Sequence, residues 1–374
     1  MKAWPAVAVL IVQSFLCIAH WFMYQTWVDF WWPMSHASLL PLRIGMTVLS
    51  LVFIPASFLS FRLSNLPVRV FYRVTAVWIG LANFLFVAAW LAWLADLFVK
   101  FSVPPSTRSA DRPYVAGVLL VLAIATAIFG LINARTLRVR RVSVSVPRLP
   151  ERWRGRQALL ISDMHLGHVN GVEFAQRIAA KAKELNPEII FIAGDLFDGS
   201  KVDAATMIAP LRELKPPLGA FFVDGNHEEY GGAAHFEQAV RTAGIRVLHN
   251  ECVTVDGLRI VGVPYGPASY PLHLRAFLEQ LGLKEGPASI LLNHVPNRLA
   301  IAEHAGVSLQ LSGHTHGGGQ LIPFNFITRR AFGKYTYGLQ QFGEMQVYTS
   351  SGAGTWGPPM RVGTNPEIVL LTFA

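Results

Sequence analysis

Apolar positions are unevenly spread along this chain. Four long apolar runs fill its first third: Ala6–Tyr24, Ile44–Phe61, Val77–Val99 and Tyr114–Ala134. Each approaches the ~20 residues a helix needs to cross a bilayer, so the pattern predicts about four transmembrane helices. Trp27, Trp31 and Trp32 follow the first run, where aromatic anchors at a membrane interface are expected. Pro55 and Asn83 fall inside runs, and Gln13 and His20 weaken the first. A membrane helix tolerates such residues when its neighbours satisfy the polar groups. The start lacks a strongly basic segment and a clear small-x-small site, and three more runs follow, which argues against a cleaved signal peptide. Buried core helices of a soluble domain are the competing reading.

After Arg135 the period changes. Val142, Val144 and Val146 alternate with Arg141, Ser143 and Ser145, which is strand periodicity, and Pro147 and Pro150 then break the chain. Five short apolar runs follow, each ending in a polar cluster. ALLIS (158–162) leads into Asp163 and His165, and IIFIA (189–193) into Asp195 and Asp198. AFFV (220–223) leads into Asn226, His227 and Glu228, SILL (289–292) into His294, and SLQLS (308–312) into His314 and His316. Short apolar runs of this kind suit buried strands, and residues 171–188 suit an amphipathic helix. Strand, helix, strand implies a crossover and an α/β fold whose sheet is covered on its faces. Loops at the strand C-terminal ends of such a sheet gather on one edge, where ligands bind. The expected organisation is a transmembrane region (1–134), a basic juxtamembrane linker with the first strand (135–157) and a globular α/β domain (158–374).

Composition sharpens this division. Of 374 residues 52% are hydrophobic, and the mean hydropathy is +0.38, too apolar for an ordinary soluble domain. Two cysteines, Cys17 and Cys252, exclude a disulfide scaffold and a cysteine zinc cluster. The formal charge is +9, yet residues 157–374 hold 16 basic and 19 acidic residues. The excess sits in residues 135–156, with eight arginines and the single acid Glu151. That placement fits contact with the lipid bilayer and argues against a nucleic-acid partner. Arg62, Arg69 and Arg73 in the second loop, and Arg135, Arg138, Arg140 and Arg141 after the fourth run, outweigh Arg43 in the first loop. The positive-inside rule then places the globular part in the cytoplasm, although Lys100, Arg108 and Arg112 in the third loop point the other way.

The polar clusters supply three carboxylates (Asp163, Asp195, Asp198), one amide (Asn226) and five imidazoles (His165, His227, His294, His314, His316). Oxygen and imidazole ligands without thiolate suit manganese, iron or zinc. The number exceeds what one tetrahedral site takes. Two ions ~3.5–4 Å apart can grip the attacking and leaving oxygens of a phosphoester.

DMH, GDLFD, GNHE, a lone NH and GHTH, in that order, resemble the five blocks of the calcineurin-like metallophosphoesterase family. The likeness covers about residues 139–374 and is strongest to bacterial members whose last block reads GHTHGGQ. It implies two packed sheets flanked by helices and two divalent ions. Asp163, His165 and His316 would hold the first ion, Asn226, His294 and His314 the second, and Asp195 would bridge them. His227 would contact the phosphate with Asn226 and protonate the leaving oxygen, and Asp198 would orient His227. A hydroxide bridging the ions would attack phosphorus in line. The implied function is hydrolysis of a phosphodiester, pyrophosphate or monoester at an inner bacterial membrane. A lipid-linked or nucleotide-linked substrate is the specific expectation.

Two departures from the family pattern stand out. The last block, GHTHGGGQ, has one extra glycine. Gly199 and Asp224 stand where the protein phosphatases of the superfamily carry arginines, which argues against a phosphoprotein substrate. His168 reads as a solvated loop histidine, and Arg361 as either an anion contact or a surface salt bridge. A non-catalytic metal-binding scaffold and a nuclease remain alternatives. The complete ligand set disfavours the first, and the acidic balance of residues 157–374 the second.

Overall fold

A computed structural model describes residues 4–31, 36–102, 112–323 and 325–374. The chain divides into two units, Met1–Ile132 with Gly357–Met360, and Asn133–Trp356 with Arg361–Ala374.

The first unit is helical: α1 (Trp4–Trp31), α2 (His36–Leu51), α3 (Phe53–Ser60), α4 (Leu66–Ser102) and, crossing the division between the units, α5 (Arg112–Arg135). Among the described residues, four segments are long and apolar enough to cross a membrane: Val9–Trp31, Leu39–Ser60, Leu66–Ser102 and Arg112–Arg135. The second comprises α2 and α3. Pro55 has no N–H to give to residue 51, and the helix is interrupted at Val52. The polar residues inside the runs find partners. Gln13 donates to the Ser50 carbonyl at 2.9 Å, Trp78 to His20 at 2.9 Å, and Trp93 to Thr26 at 2.9 Å.

The helices outrun the apolar stretches. Arg43 lies in α2, Arg69 and Arg73 in the first turns of α4, and Arg112 at the start of α5, none of them in the loops where the sequence reading placed them. Trp27 and Trp31 belong to α1 itself. Hydropathy marks only the most apolar part of a helix, whereas the backbone hydrogen bonds continue past it. Trp32 and Arg108 lie outside the described residues.

The second unit holds twelve strands in two mixed sheets. They are β1 (Arg138–Val144), β2 (Gln157–Ile161), β3 (Ile189–Ala193), β4 (Ala220–Val223), β5 (Arg246–Val247), β6 (Glu251–Val255), β7 (Leu258–Gly262), β8 (Ser289–Leu292), β9 (Leu309–Ser312), β10 (Gly338–Phe342), β11 (Met345–Thr349) and β12 (Glu367–Phe373). One sheet runs β1-β12-β2-β3-β4-β5, with β2 to β5 parallel. The other runs β10-β11-β9-β8-β7-β6, with β7, β8, β9 and β11 parallel.

Alternation along the strands builds the layers. Ala158, Leu160, Ile189 and Phe191 face Ile260, Ile290, Leu309 and Leu311 in the core between the sheets. Leu159, Ile161, Ile190 and Ile192 face the other way, onto Phe174, Ala175 and Ile178 of α6 (Val172–Leu185). Val261, Leu291 and Val347 form the outer face of the second sheet and pack on Leu274, Leu278 and Leu299. Both faces of both sheets are thus covered, which is why β3, β4 and β8 read as unbroken apolar runs.

Two of the eight arginines at 135–156 are absorbed by this unit. Arg148 donates to the carbonyls of Leu283, Lys284, Gly286 and Gly306, and Arg156 pairs with Glu188 and Asp256. Both therefore have partners within this unit.

Candidate active site

The five polar clusters continue the C-terminal ends of β2, β3, β4, β8 and β9 and meet where these strands end. Asp163, His165, Asp195, His314 and His316 all stand on left-handed backbone, with φ of 50°, 48°, 50°, 70° and 50°. For a residue with a Cβ this conformation costs roughly 1–2 kcal/mol. Such strain persists where the surroundings over-determine it and clusters at functional sites.

Three groups of ligand-type atoms converge, each group within 4.8 Å: Asp163 with His165 and His316; Asp195 with His294 and His314; and His165 with Asp195 and His227. Asn226 joins the second group, its Oδ1 lying 2.9 Å from His314 Nδ1. Asp195 belongs to two groups and stands between the others. Its Oδ2 lies 3.1 Å from His294 Nε2 and 3.9 Å from His165 Nε2. His165 Nε2 and His316 Nε2 face each other at 3.2 Å, and His165 Nδ1 is buried without a hydrogen-bond partner. A buried orphaned nitrogen is costly in a dry site and is the kind of atom a cation or ordered water satisfies. The donors are carboxylate, amide and imidazole, so the set fits divalent cations of the hard-to-borderline class.

Charge within the cluster is uneven. Burial pushes the Asp163 carboxyl up to about 6. Burial opposes ionisation of Asp195 as well, but His294, by charge and hydrogen bond, holds its carboxyl below the ordinary range. His294 is the counterpart: burial lowers it, and Asp195 more than compensates, raising it to about 10. His165 and His316 are held low by burial, then by the charges of His227 and Arg361 respectively. Burial takes His314 down to about 4. Neutral imidazoles with free lone pairs are the form in which histidine binds a cation.

Backbone carbonyls fix two of the rings. His294 Nδ1 donates to the Ala193 oxygen at 2.7 Å, leaving Nε2 toward Asp195. His227 Nδ1 donates to the main-chain oxygen of Asp198 at 2.9 Å. The carboxylate of Asp198, which the family pattern assigns to orienting His227, accepts instead from the Ser200 N–H and hydroxyl and from the His168 N–H. His168 is fully buried, not a solvated loop histidine.

Close approach demands glycine at two positions. A Cβ at Gly313 would lie 2.2 Å from Asp163 Oδ2, and one at Gly225 would lie 2.1 Å from Asp195 Oδ1. Neither carboxylate could keep its place beside a larger residue.

Three supporting features escaped the sequence reading. Glu228 is fully buried and accepts from the N–H groups of Asp195, Phe197 and Gly225, tying two ligand loops together. Burial, then the nearby Asp195, raises its carboxyl to about 8. The GNHE block contained the signal, since an acid three residues after Gly225 can cap the start of the short helix Asn226–Gly231. Arg361 is neither an anion contact nor a surface salt bridge. It is fully buried and donates to His316 Nδ1 at 2.8 Å and to the carbonyls of His316, Ser351, Gly352 and Gly354. A sixth strand end also closes the site. After β11, Ala353 and Gly354 donate to the carbonyls of Ser162 and Asp163. Its signal was the glycine-rich SGAGTWG after an apolar run.

Comparison with known proteins places this architecture. Residues 157–318 match the model of the calcineurin-like phosphoesterase family. A transmembrane protein with metallophosphoesterase domain from Danio rerio is 33% identical over 320 residues, covering 79% of this chain and 71% of that protein. An uncharacterized metallophosphoesterase of Aquifex aeolicus is 32% identical over 264 residues, covering 68% of this chain and 98% of its own length. One from Campylobacter jejuni is 31% identical over 262 residues, covering 68% of each chain. With its two-sheet α/β fold and its strand-end cluster of carboxylates and imidazoles, the chain belongs to the calcineurin-like phosphoesterase family.

Proposed function

We propose that this chain is a membrane-anchored phosphoester hydrolase that uses two divalent cations. The observation that carries the reading is the convergence of two ligand groups on either side of Asp195, assembled on strained backbone and cradled by Gly225 and Gly313. Asp163, His165 and His316 would hold one ion, Asn226, His294 and His314 the other, with Asp195 between them. Manganese, iron and zinc all suit this donor set. When bound, the ions supply the positive charge that acidifies a water and offsets the charge of the phosphate oxygens.

The chain's own residues do the rest. The Asp198 carbonyl holds the proton of His227 on Nδ1, leaving Nε2 as the nitrogen that exchanges a proton. In its doubly protonated form His227 contacts the phosphate through Nε2–H and gives that second proton to the departing oxygen, the ring returning to the neutral Nδ1–H form. Asn226 Oδ1 lies 2.9 Å from His314 Nδ1, where it would serve as a ligand of the second ion. Glu228 and Arg361 hold the ligand loops in register.

The four long apolar helices anchor the hydrolase as an integral, multi-pass protein of an inner bacterial membrane, with the globular unit in the cytoplasm. The catalytic domain takes in residues 158–374 together with β1 of the basic segment 135–157 that joins it to the helices. A lipid-linked or nucleotide-linked phosphodiester or pyrophosphate fits that setting. The test is manganese-dependent hydrolysis of bis(p-nitrophenyl) phosphate and p-nitrophenyl phosphate by the full chain in detergent. Wild type should turn over at least one of them and Asp195→Ala neither. Equal turnover by Asp195→Ala would sink the proposal.

A further inference from the structure

Beside the metal-ligand cluster lies a surface of a different kind. Between Glu303 and Glu344 the chain has no acidic residue, while Arg329, Arg330 and Lys334 fall close together. They belong to the helix Asn325–Phe332, NFITRRAF, and the turn after it; the helix has no buried residue. Helical spacing divides its faces. Asn325, Thr328 and Phe332 are partly covered, and the Phe332 ring lies 6.0 Å from that of His314. The outward arc carries Phe326 and Ile327, 61% and 59% exposed, interleaved with exposed Arg330 and Ala331, while Arg329, also exposed, lies at its edge beside Gly318. Ile322, two residues before position 324, adds a further 40%-exposed apolar side chain. The ion pairs found among the described residues involve none of Arg329, Arg330 and Lys334.

Scattered exposed apolar residues on a water-facing surface need no explanation. Here they share one short helix whose charged residues are all basic. A helix facing water ordinarily mixes both signs of charge. An exposed arc of Phe and Ile among arginines, with no acid nearby, is the composition of a helix lying in a membrane interface. Arginine stems cover apolar surface while their heads reach anionic headgroups. A protein partner could cover Phe326 and Ile327, but would not by itself account for the one-signed charge. The same chain carries four helices long and apolar enough to cross a bilayer, so a lipid surface is always at hand.

We infer that the helix Asn325–Phe332 docks on the surface of an anionic bilayer, with Phe326, Ile327 and Ile322 in the acyl boundary and Arg330 and Lys334 on headgroup phosphates. The helix packs on the glycine loop that follows the last histidine block: a Cβ at Gly318 would lie 3.1 Å from Arg329 Nε, and one at Gly319 3.4 Å from Asn325 Cα. Its covered side therefore meets the ligand cluster and its open side meets lipid. This inference concerns the helix alone and stands or falls independently of phosphoester hydrolysis.

The experiment uses the full chain with Cys17 and Cys252 replaced by serine, and Ile327→Cys carrying an NBD label. It is reconstituted in vesicles of phosphatidylcholine with phosphatidylglycerol, with and without acyl-chain spin-labelled lipid. A second sample carries the label at Glu184→Cys on α6, an exposed position of the same unit. The expected result is a blue-shifted emission at 327 that the spin-labelled lipid quenches, with position 184 unquenched. Replacing phosphatidylglycerol by phosphatidylcholine, or introducing Arg330→Glu with Lys334→Glu, should reduce that quenching. Water-like emission at 327, a blue shift without quenching, or equal quenching at both positions would each overturn the inference.

Discussion

His227 Nδ1 lies 2.9 Å from the main-chain oxygen of Asp198, while the Asp198 carboxylate turns away to Ser200 and His168. A main-chain carbonyl survives any substitution of its side chain. Asp198→Asn should therefore leave the tautomer of His227 intact and lower kcat far less than His227→Ala. Loss of a positioned proton donor costs ~10²–10⁴-fold. Kinetics of the two variants on bis(p-nitrophenyl) phosphate decide this. Equal losses would show that the carboxylate, not the carbonyl, governs His227.

Gly225 approaches Asp195 more closely than any side chain permits. In Gly225→Ala the new methyl must displace the Asp195 carboxylate, whose oxygen would otherwise lie 2.1 Å from it. The variant should lose bound metal while keeping its far-ultraviolet circular dichroism. Elemental analysis of purified protein reads this directly, and a fully metal-loaded variant would contradict it.

Arg361 should resist replacement even by lysine. Its fork of donors serves five acceptors around His316 and the loop after β11, a geometry an ammonium cannot reproduce. Each buried carbonyl left unpaired costs ~1–3 kcal/mol. Arg361→Lys should lower the melting temperature and loosen binding of the ion held by His316. An unchanged melting temperature would show that the network is dispensable.

Asp224 makes stability depend on pH. Burial, then the hydrogen bond and charge of nearby acids, raises its carboxyl from the ordinary 3.8 to about 9. Between these values the folded state holds a proton that the unfolded state has released. Its contribution is therefore full below the lower value and is lost as pH rises through the upper one. Glu228, raised to about 8, acts in the same direction. The melting temperature should fall as pH climbs from about 6 to 9, less steeply in Asp224→Asn because Glu228 remains. Parallel slopes for the two proteins would contradict the assignment.

Much of the site could be read from the chain because each candidate ligand sits within a few residues of a buried strand's end. β3, β4 and β8 coincide with the apolar runs 189–193, 220–223 and 289–292. Runs this short and bounded by glycine and polar residues leave little freedom over where a strand stops. What escaped notice acts over long separations. Arg361 reaches back 45 residues to His316, and its segment, GPPMRVG, has no local signature of burial. The role of the Asp198 carbonyl was invisible for another reason: a main-chain oxygen is common to every residue. In the helical unit, the reach of α4 eleven residues upstream of the run beginning at Val77 was missed because charged residues such as Arg69 and Arg73 extend a helix without adding hydropathy.

The central claim is that Asp195 stands between two cation sites. Elemental analysis of the full chain, reconstituted with manganese and dialysed, tests it most directly. The account predicts about two ions per chain in wild type, as in two-metal phosphoesterase sites. His227→Ala should retain both, and Asp195→Ala should retain fewer. A wild-type chain that binds no metal, or an Asp195→Ala variant that holds as much as wild type, would contradict it.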